Sequence, residues 1–248
     1  MKRFVRTAWA LGLAGAMVAP AMAQAQGANK PVVAVLSFDN NSIGKDAADY
    51  NGIGKGVADM LITDLAGNPN VVVVDRDRIQ QVLQEQNLIK QGAIDPETAV
   101  RIGKILGAQY MITGGFMSDG RGNMVLTARS ISVQTTAVTN PQRVQAKTDD
   151  VLGMIAKMSD KVTHDMKLPP MEHHNTGMTD KSMGNMGNMG SKPEKMDIRT
   201  AMLYSKALDA KDNGDPKRAA ELFRQVLVKF PDYSPAKTNL EKVSKSGD

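Results

Sequence analysis

Val32-Val33-Ala34-Val35-Leu36-Ser37-Phe38, then a polar stretch, then Ile53-Gly54-Lys55-Gly56-Val57-Ala58-Asp59-Met60-Leu61 is the passage that sets the fold. Its first part is an almost unbroken apolar run, as a strand covered on both faces requires, and it predicts a central strand. In the second part Ile53, Val57, Leu61 and Leu65 fall four apart on one helical face, with Gly67 and Pro69 to stop the helix. A strand feeding a helix in this way points to parallel pairing with helices packed on a sheet.

Working outward, Val71 to Val74 predicts a second buried strand, and Asp75 or Asp77 can cap a helix carrying Ile79, Val82 and Leu83. Asp95-Pro96-Glu97 supplies a cap, a proline at the first helical position and an acid in the first turn. Gly107 ends that helix, and Ile102, Ile105 and Leu106 give it an inward face. Tyr110 to Thr113 is a third strand. The turn formers from Ser118 to Asn123 lead into a fourth, Met124 to Val133, so the two form a hairpin. A strand near Arg143 to Lys147 precedes a helix with Val151, Ile155, Met158 and Val162 at helical spacing. Early alternation and late hairpins together predict an α/β domain over residues 31–167, a mixed sheet with packed helices.

Composition then changes. Residues 168–196 hold Leu-Pro-Pro, Met171, His173, His174 and a Met-Gly-Asn repeat, with no aromatic residue and no periodic apolar face. Such a stretch buries too little to offset ordering entropy, which predicts a flexible linker. Residues 197–248 form a small all-α unit. Leu203, Ala207 and Ala210 sit on one helix, Gly214-Asp215-Pro216 makes a turn, Ala219, Leu222, Phe223, Val226 and Leu227 face back from a second, and Pro231 and Pro235-Ala236 lead to a third.

At the other end, Lys2, Arg3 and Arg6 precede an apolar run from Ala8 to Val18 that is roughly half the length of a membrane-spanning helix. Ala21-Met22-Ala23 comes next as a cleavage site. Residues 1–23 therefore read as a signal peptide and 24–30 as an extension, with release into the periplasm expected. The chain has 31 Lys and Arg against 26 Asp and Glu, and without the three cations of the leader the balance falls to +2. That argues against nucleic acid as a partner and allows at most peripheral membrane association. With no cysteine there is no disulfide, no thiolate metal site and no lipidated N-terminal cysteine.

Four segments occur in a telling order: Val33-Ala34-Val35-Leu36-Ser37-Phe38, Gly54-Lys55-Gly56-Val57-Ala58-Asp59-Met60-Leu61, Val74-Asp75-Arg76, and Gly107-Ala108-Gln109-Tyr110-Met111-Ile112-Thr113-Gly114. Together they resemble the CsgG family, which includes the curli assembly and transport component and the LpoB-like and TolB-like α/β domains. The resemblance covers residues 30–167. It implies a periplasmic α/β domain that works by contact with other envelope proteins, possible homo-oligomers included. Short polar connections here do not match the long membrane-spanning hairpins of the curli member, whose strands need about ten alternating residues each. The C-terminal unit resembles a tetratricopeptide repeat, with Leu203 and Ala210 where larger residues are usual. One repeat with a capping helix is below the usual minimum of about three, so it is expected to pack on the main domain, a second copy or a client.

Catalytic chemistry finds little support. His164 lies near the end of the last helix of the α/β domain and His173 and His174 lie in the linker, so no fixed general base presents itself. Asp39 and Asp59 can be read as paired carboxylates but more readily as a cap and a solvated face. Gly52-Ile53-Gly54-Lys55-Gly56 invites comparison with a phosphate loop, yet it lacks a Gly-Lys-Ser/Thr ending and the dinucleotide spacing. Met171, His173, His174, Met178, Met183, Met186 and Met189 are soft ligands suited to cuprous copper, against which stands simple expansion of an unconstrained linker. The sequence thus assigns no catalytic, cofactor or metal residue. It points to a non-catalytic envelope interaction module, with copper buffering and nucleotide binding as the alternatives.

Overall fold

β1 (Val32–Val35) is an interior strand of a sheet that has six strands among the described residues, flanked in parallel by β3 (Val72–Val73) and β4 (Tyr110–Ser118). The computed structural model describes residues 30–44, 47–88, 94–119, 121–168 and 195–245. β4 turns back into β5 (Asn123–Ser132) and β5 into β6 (Gln142–Lys147), both antiparallel, giving the order β3-β1-β4-β5-β6. The mixed sheet matches expectation. β2 (Asp39–Asn40), a two-residue strand beside Gly115 and Phe116 of β4, has no periodic signal in the sequence to announce it.

Helix α1 (Ile53–Ala66) connects β1 to β3, and α2 (Arg76–Glu85) with α3 (Pro96–Leu106) returns from β3 to β4. These crossovers run in opposite directions, so right-handed connection puts α1 on one face and α2 and α3 on the other. α4 (Val151–Asp165) packs against α1, β5 and β6. Caps form where the sequence placed them: Asp75 accepts from Asp77 N, Asp95 accepts from Thr98 N, and Gly107 takes a left-handed conformation at φ 69°.

Two expectations need correction. Val71 to Val74 is an edge strand rather than one covered on both faces: Val71 is buried but Val72 is 48% exposed, because β1 is its only strand neighbour among the described residues. Ile105 does not face inward. It is 44% exposed, while Ala99, Val100, Ile102 and Gly103 make the packed side of α3.

The C-terminal residues form α5 (Ile198–Asp212), α6 (Pro216–Lys229) and α7 (Ser234–Lys245), packed in sequence with α5 lying on α1. Met196, read as the end of the linker, is buried. Its carbonyl accepts from Val151 N at 3.0 Å, and Ile198 N donates to Thr148 O at 2.7 Å, so the chain rejoins the body at the β6–α4 junction. Among the described residues no helix is long and apolar enough to cross a membrane.

Candidate functional site

α1 is enclosed from two sides. Ten of its 14 residues are buried, although its apolar periodicity predicts one inward face. Its inner side approaches the segment that follows β1 so closely that a Cβ on Gly54 would lie 1.8 Å from the Phe38 carbonyl oxygen. Its outer side meets α5, where a Cβ on Gly56 would lie 2.0 Å from Ser205 Oγ. The glycines of this segment therefore permit contact on both sides. Gly52 precedes the helix at φ 86° with no side-chain cap. Lys55, the cation a phosphate would need, instead donates to Asp209 at 2.5 Å and lies 3.3 Å from Asp212.

Around this contact runs a polar network that the sequence did not disclose. Tyr204 on α5, fully buried, donates its hydroxyl proton to Asp59 on α1, and Asn239 on α7 donates to the Tyr204 oxygen at 3.2 Å. Arg76 at the start of α2 pairs with Asp212 at the end of α5. Lys211 reaches Asp77 at 2.5 Å and Asn239 at 2.9 Å, and Lys242 reaches Asp77 at 2.9 Å. Ser205 Oγ donates toward Ile53 O at 3.2 Å. Beneath the network Tyr204 meets Phe223 at a tilt, with centroids 5.8 Å apart, and Tyr233 edgewise at 5.2 Å, and Tyr233 in turn meets Phe230 edgewise at 5.6 Å.

The network sets the ionisation of its members. Burial pushes the Asp59 carboxyl above its ordinary range, against the Tyr204 hydrogen bond and the charges of Arg76 and Lys211. Burial drives Tyr204 well up, with the adjacent Asp59 charge acting in the same direction. For Asp77, burial would also raise the carboxyl, but hydrogen bonds from Lys211 and Lys242 outweigh it and hold the group low. A cleft of about 210 Å³ opens at this seam, lined by Asp59, Arg76, Asp77, Asn239 and Lys242 among others.

A second cleft, of about 230 Å³, lies where β1 ends, between Ser37, Asp39, Lys55, Gln80 and the apolar Phe38 and Phe116. Burial raises Asp39 there, partly offset by Arg129. The two acids singled out in the sequence thus line different clefts, and the structure does not bring them together as a pair. Asp59 is also no solvated face: it is 8% exposed. His164 is exposed on the last turn of α4. His173, His174, Met171, Met178, Met183, Met186 and Met189 lie outside the described residues, as does the leader. Among the described residues no group of three or more His, Cys, Asp and Glu is placed to hold a metal ion.

A family model described as "Curli production assembly/transport component CsgG" matches residues 14–146. No curated protein matches the chain significantly. Among solved structures, the LpoB C-terminal domain from Escherichia coli aligns over 49% of this chain and 89% of its own at 20% identity, with a TM-score of 0.38. Lipoprotein GNA1162 from Neisseria meningitidis covers 55% and 96% respectively at 14% identity and a TM-score of 0.37. The PelC dodecamer from Paraburkholderia phytofirmans covers 56% and 89% at 16% identity, with a TM-score of 0.32.

Proposed function

Because the chain belongs to the CsgG family, whose model spans more than half of its length, we propose that it is a non-catalytic accessory protein of the cell envelope that acts through protein contacts. The observation that carries this reading is how the ionisable groups at the seam are used. Lys55, Asp59, Arg76, Asp77, Tyr204, Lys211 and Asp212 are the set best suited to chemistry, and they bind one another across the junction of α1 and α2 with α5 and α7. They hold two parts of the chain together, and the three that also line the cleft at this seam, Asp59, Arg76 and Asp77, are each engaged by a partner across it.

On this reading the C-terminal helices, a tetratricopeptide-like hairpin with a capping helix, are a permanent extension of the α/β body. The combined outer surface is what partners meet, and the compartment is the periplasm. Cross-linking in intact cells, with identification of the attached proteins, tests the proposal. Envelope proteins are expected to be captured by the full chain. Capture of no envelope protein above a control, or turnover of a substrate by the purified protein, would overturn it.

A further inference from the structure

Helices cover the sheet unevenly. α4 lies over the side of β5 and β6 that carries the buried Leu126, Ala128 and Val144. On the opposite side α3 packs on β4 and β5, with Gly103 set closely against Met111 and Val133, toward the ends of the two strands away from the hairpin turn. Beyond it the register brings alternate residues to an open face: Met117 on β4, Val125 and Arg129 on β5, and Arg143, Gln145 and Lys147 on β6. Met117 is 39% exposed, Val125 is half-buried, and the other four are exposed.

The charge on this face is one-sided. Arg143 stands opposite Thr127, two residues from Arg129, which makes the two guanidinium groups diagonal neighbours at about 7–8 Å between α-carbons. Neither they nor Lys147 form an ion pair within 4.0 Å among the described residues. The acids nearby sit at the margins. Asp39 acts on Arg129 from β2, Asp119 is held by Arg121 N, Asn123 N and the Asn123 amide at the hairpin turn, and Asp149 lies just past β6. β6 is also the last strand of the sheet, and among the described residues no strand pairs with its outer edge.

We propose that the free edge of β6 and this basic face together receive an extended acidic segment of a partner protein, which adds to the sheet as a further strand. Charge complementarity selects this occupant. Every second side chain of the added strand would stand beside Arg143, Gln145 and Lys147, and the intervening ones beside Val144 and Ala146 on the α4 side, so the segment alternates acidic with apolar residues. A second copy of the chain is disfavoured, because antiparallel pairing of two β6 edges would set these cations against one another.

The inference rests on the protein-contact function proposed for the chain and specifies one surface for it. The test uses the full chain and two synthetic peptides, Glu-Val-Glu-Val-Glu-Val-Glu and its counterpart with lysine for glutamate. Amide NMR shifts and hydrogen exchange are monitored along β5 and β6. The acidic peptide is expected to bind, to protect β6 amides, and to weaken by about tenfold in the doubly substituted Arg129→Gln/Arg143→Gln protein. The lysine peptide is expected not to bind. Binding that survives the double substitution, equal binding of both peptides, or binding that leaves the β6 amides unprotected overturns the proposal. So does the absence of binding at millimolar peptide. None of these results bears on cross-linking to other surfaces, so this surface can fail while the wider reading stands.

Discussion

Asp59 is the residue on which the seam turns, and its position inverts the usual value of a carboxylate. Its folded-state pKa is raised, so ionisation costs folding free energy as pH climbs from the ordinary carboxylate range through the raised value, and the cost is constant above that. Asp59→Asn keeps an acceptor for Tyr204 without the charge. Its stability relative to the parent is therefore expected to improve between pH 4 and pH 7, read as the difference in urea midpoints. Tyr204→Phe removes the donor and leaves Asp59 without its hydroxyl partner, for an expected loss of about 1–3 kcal/mol at pH 7. The glycines differ in kind. Gly54→Ala meets main-chain atoms of Phe38 that cannot yield, whereas Gly56→Ala meets Ser205 Oγ. Gly56→Ala is expected to cost about 1–3 kcal/mol, and adding Ser205→Ala should recover part of that in a double-mutant cycle, while no such partner rescues Gly54→Ala. None of this was legible in the sequence, because Asp59 and Tyr204 are 145 residues apart and periodicity reports only neighbours in the chain.

At the level of the elements, local rules served well where one helix or strand meets one neighbour. α3 is bounded by Asp95 and Gly107 as its caps dictate, and β4 and β5 pair across the turn as their apolar runs dictate. They served less well where a second layer intervened. α1 looks amphipathic yet is packed on both sides, and the run Val71 to Val74 looks buried yet lies at an edge, since apolar content does not say how many strands stand beside it. The start of α2 is tied to α5 and α7 by Asp77, whose depressed pKa contributes stability above the ordinary carboxylate range and loses it as pH falls through the lowered value. Asp77→Asn is therefore expected to cost about 0.5–1 kcal/mol at pH 7, allowing for solvent screening of a side chain 40% exposed. The difference should disappear as pH falls below the lowered value and shrink in high salt, as thermal melts across pH and ionic strength would show.

For the whole molecule, the seam makes one cooperative body of two parts that composition separates. Far-UV and near-UV circular dichroism are expected to report a single coincident unfolding transition for the full chain, the buried Tyr204 and Tyr233 reporting from the C-terminal helices. Deleting residues 195–248 uncovers the outer side of α1. A loss of about 3 kcal/mol there would lower Tm by roughly 6–12 °C, and an unchanged Tm would mean that α5 merely rests on α1. Composition divides the chain at residue 168, but it does not disclose the docking of the C-terminal helices, because the contact is made of small and polar side chains that resemble a solvated surface.

The same seam imposes an order in time. Asp59 and Gly56 lie early in the chain and their partners Tyr204, Ser205 and Asn239 late, so α1 waits with one flank wet until the last helices have arrived. A chain that has not yet docked α5 can assemble its sheet but cannot close over its first helix, and that interval is when the exposed flank is most open to chaperones, proteases or a wrong neighbour.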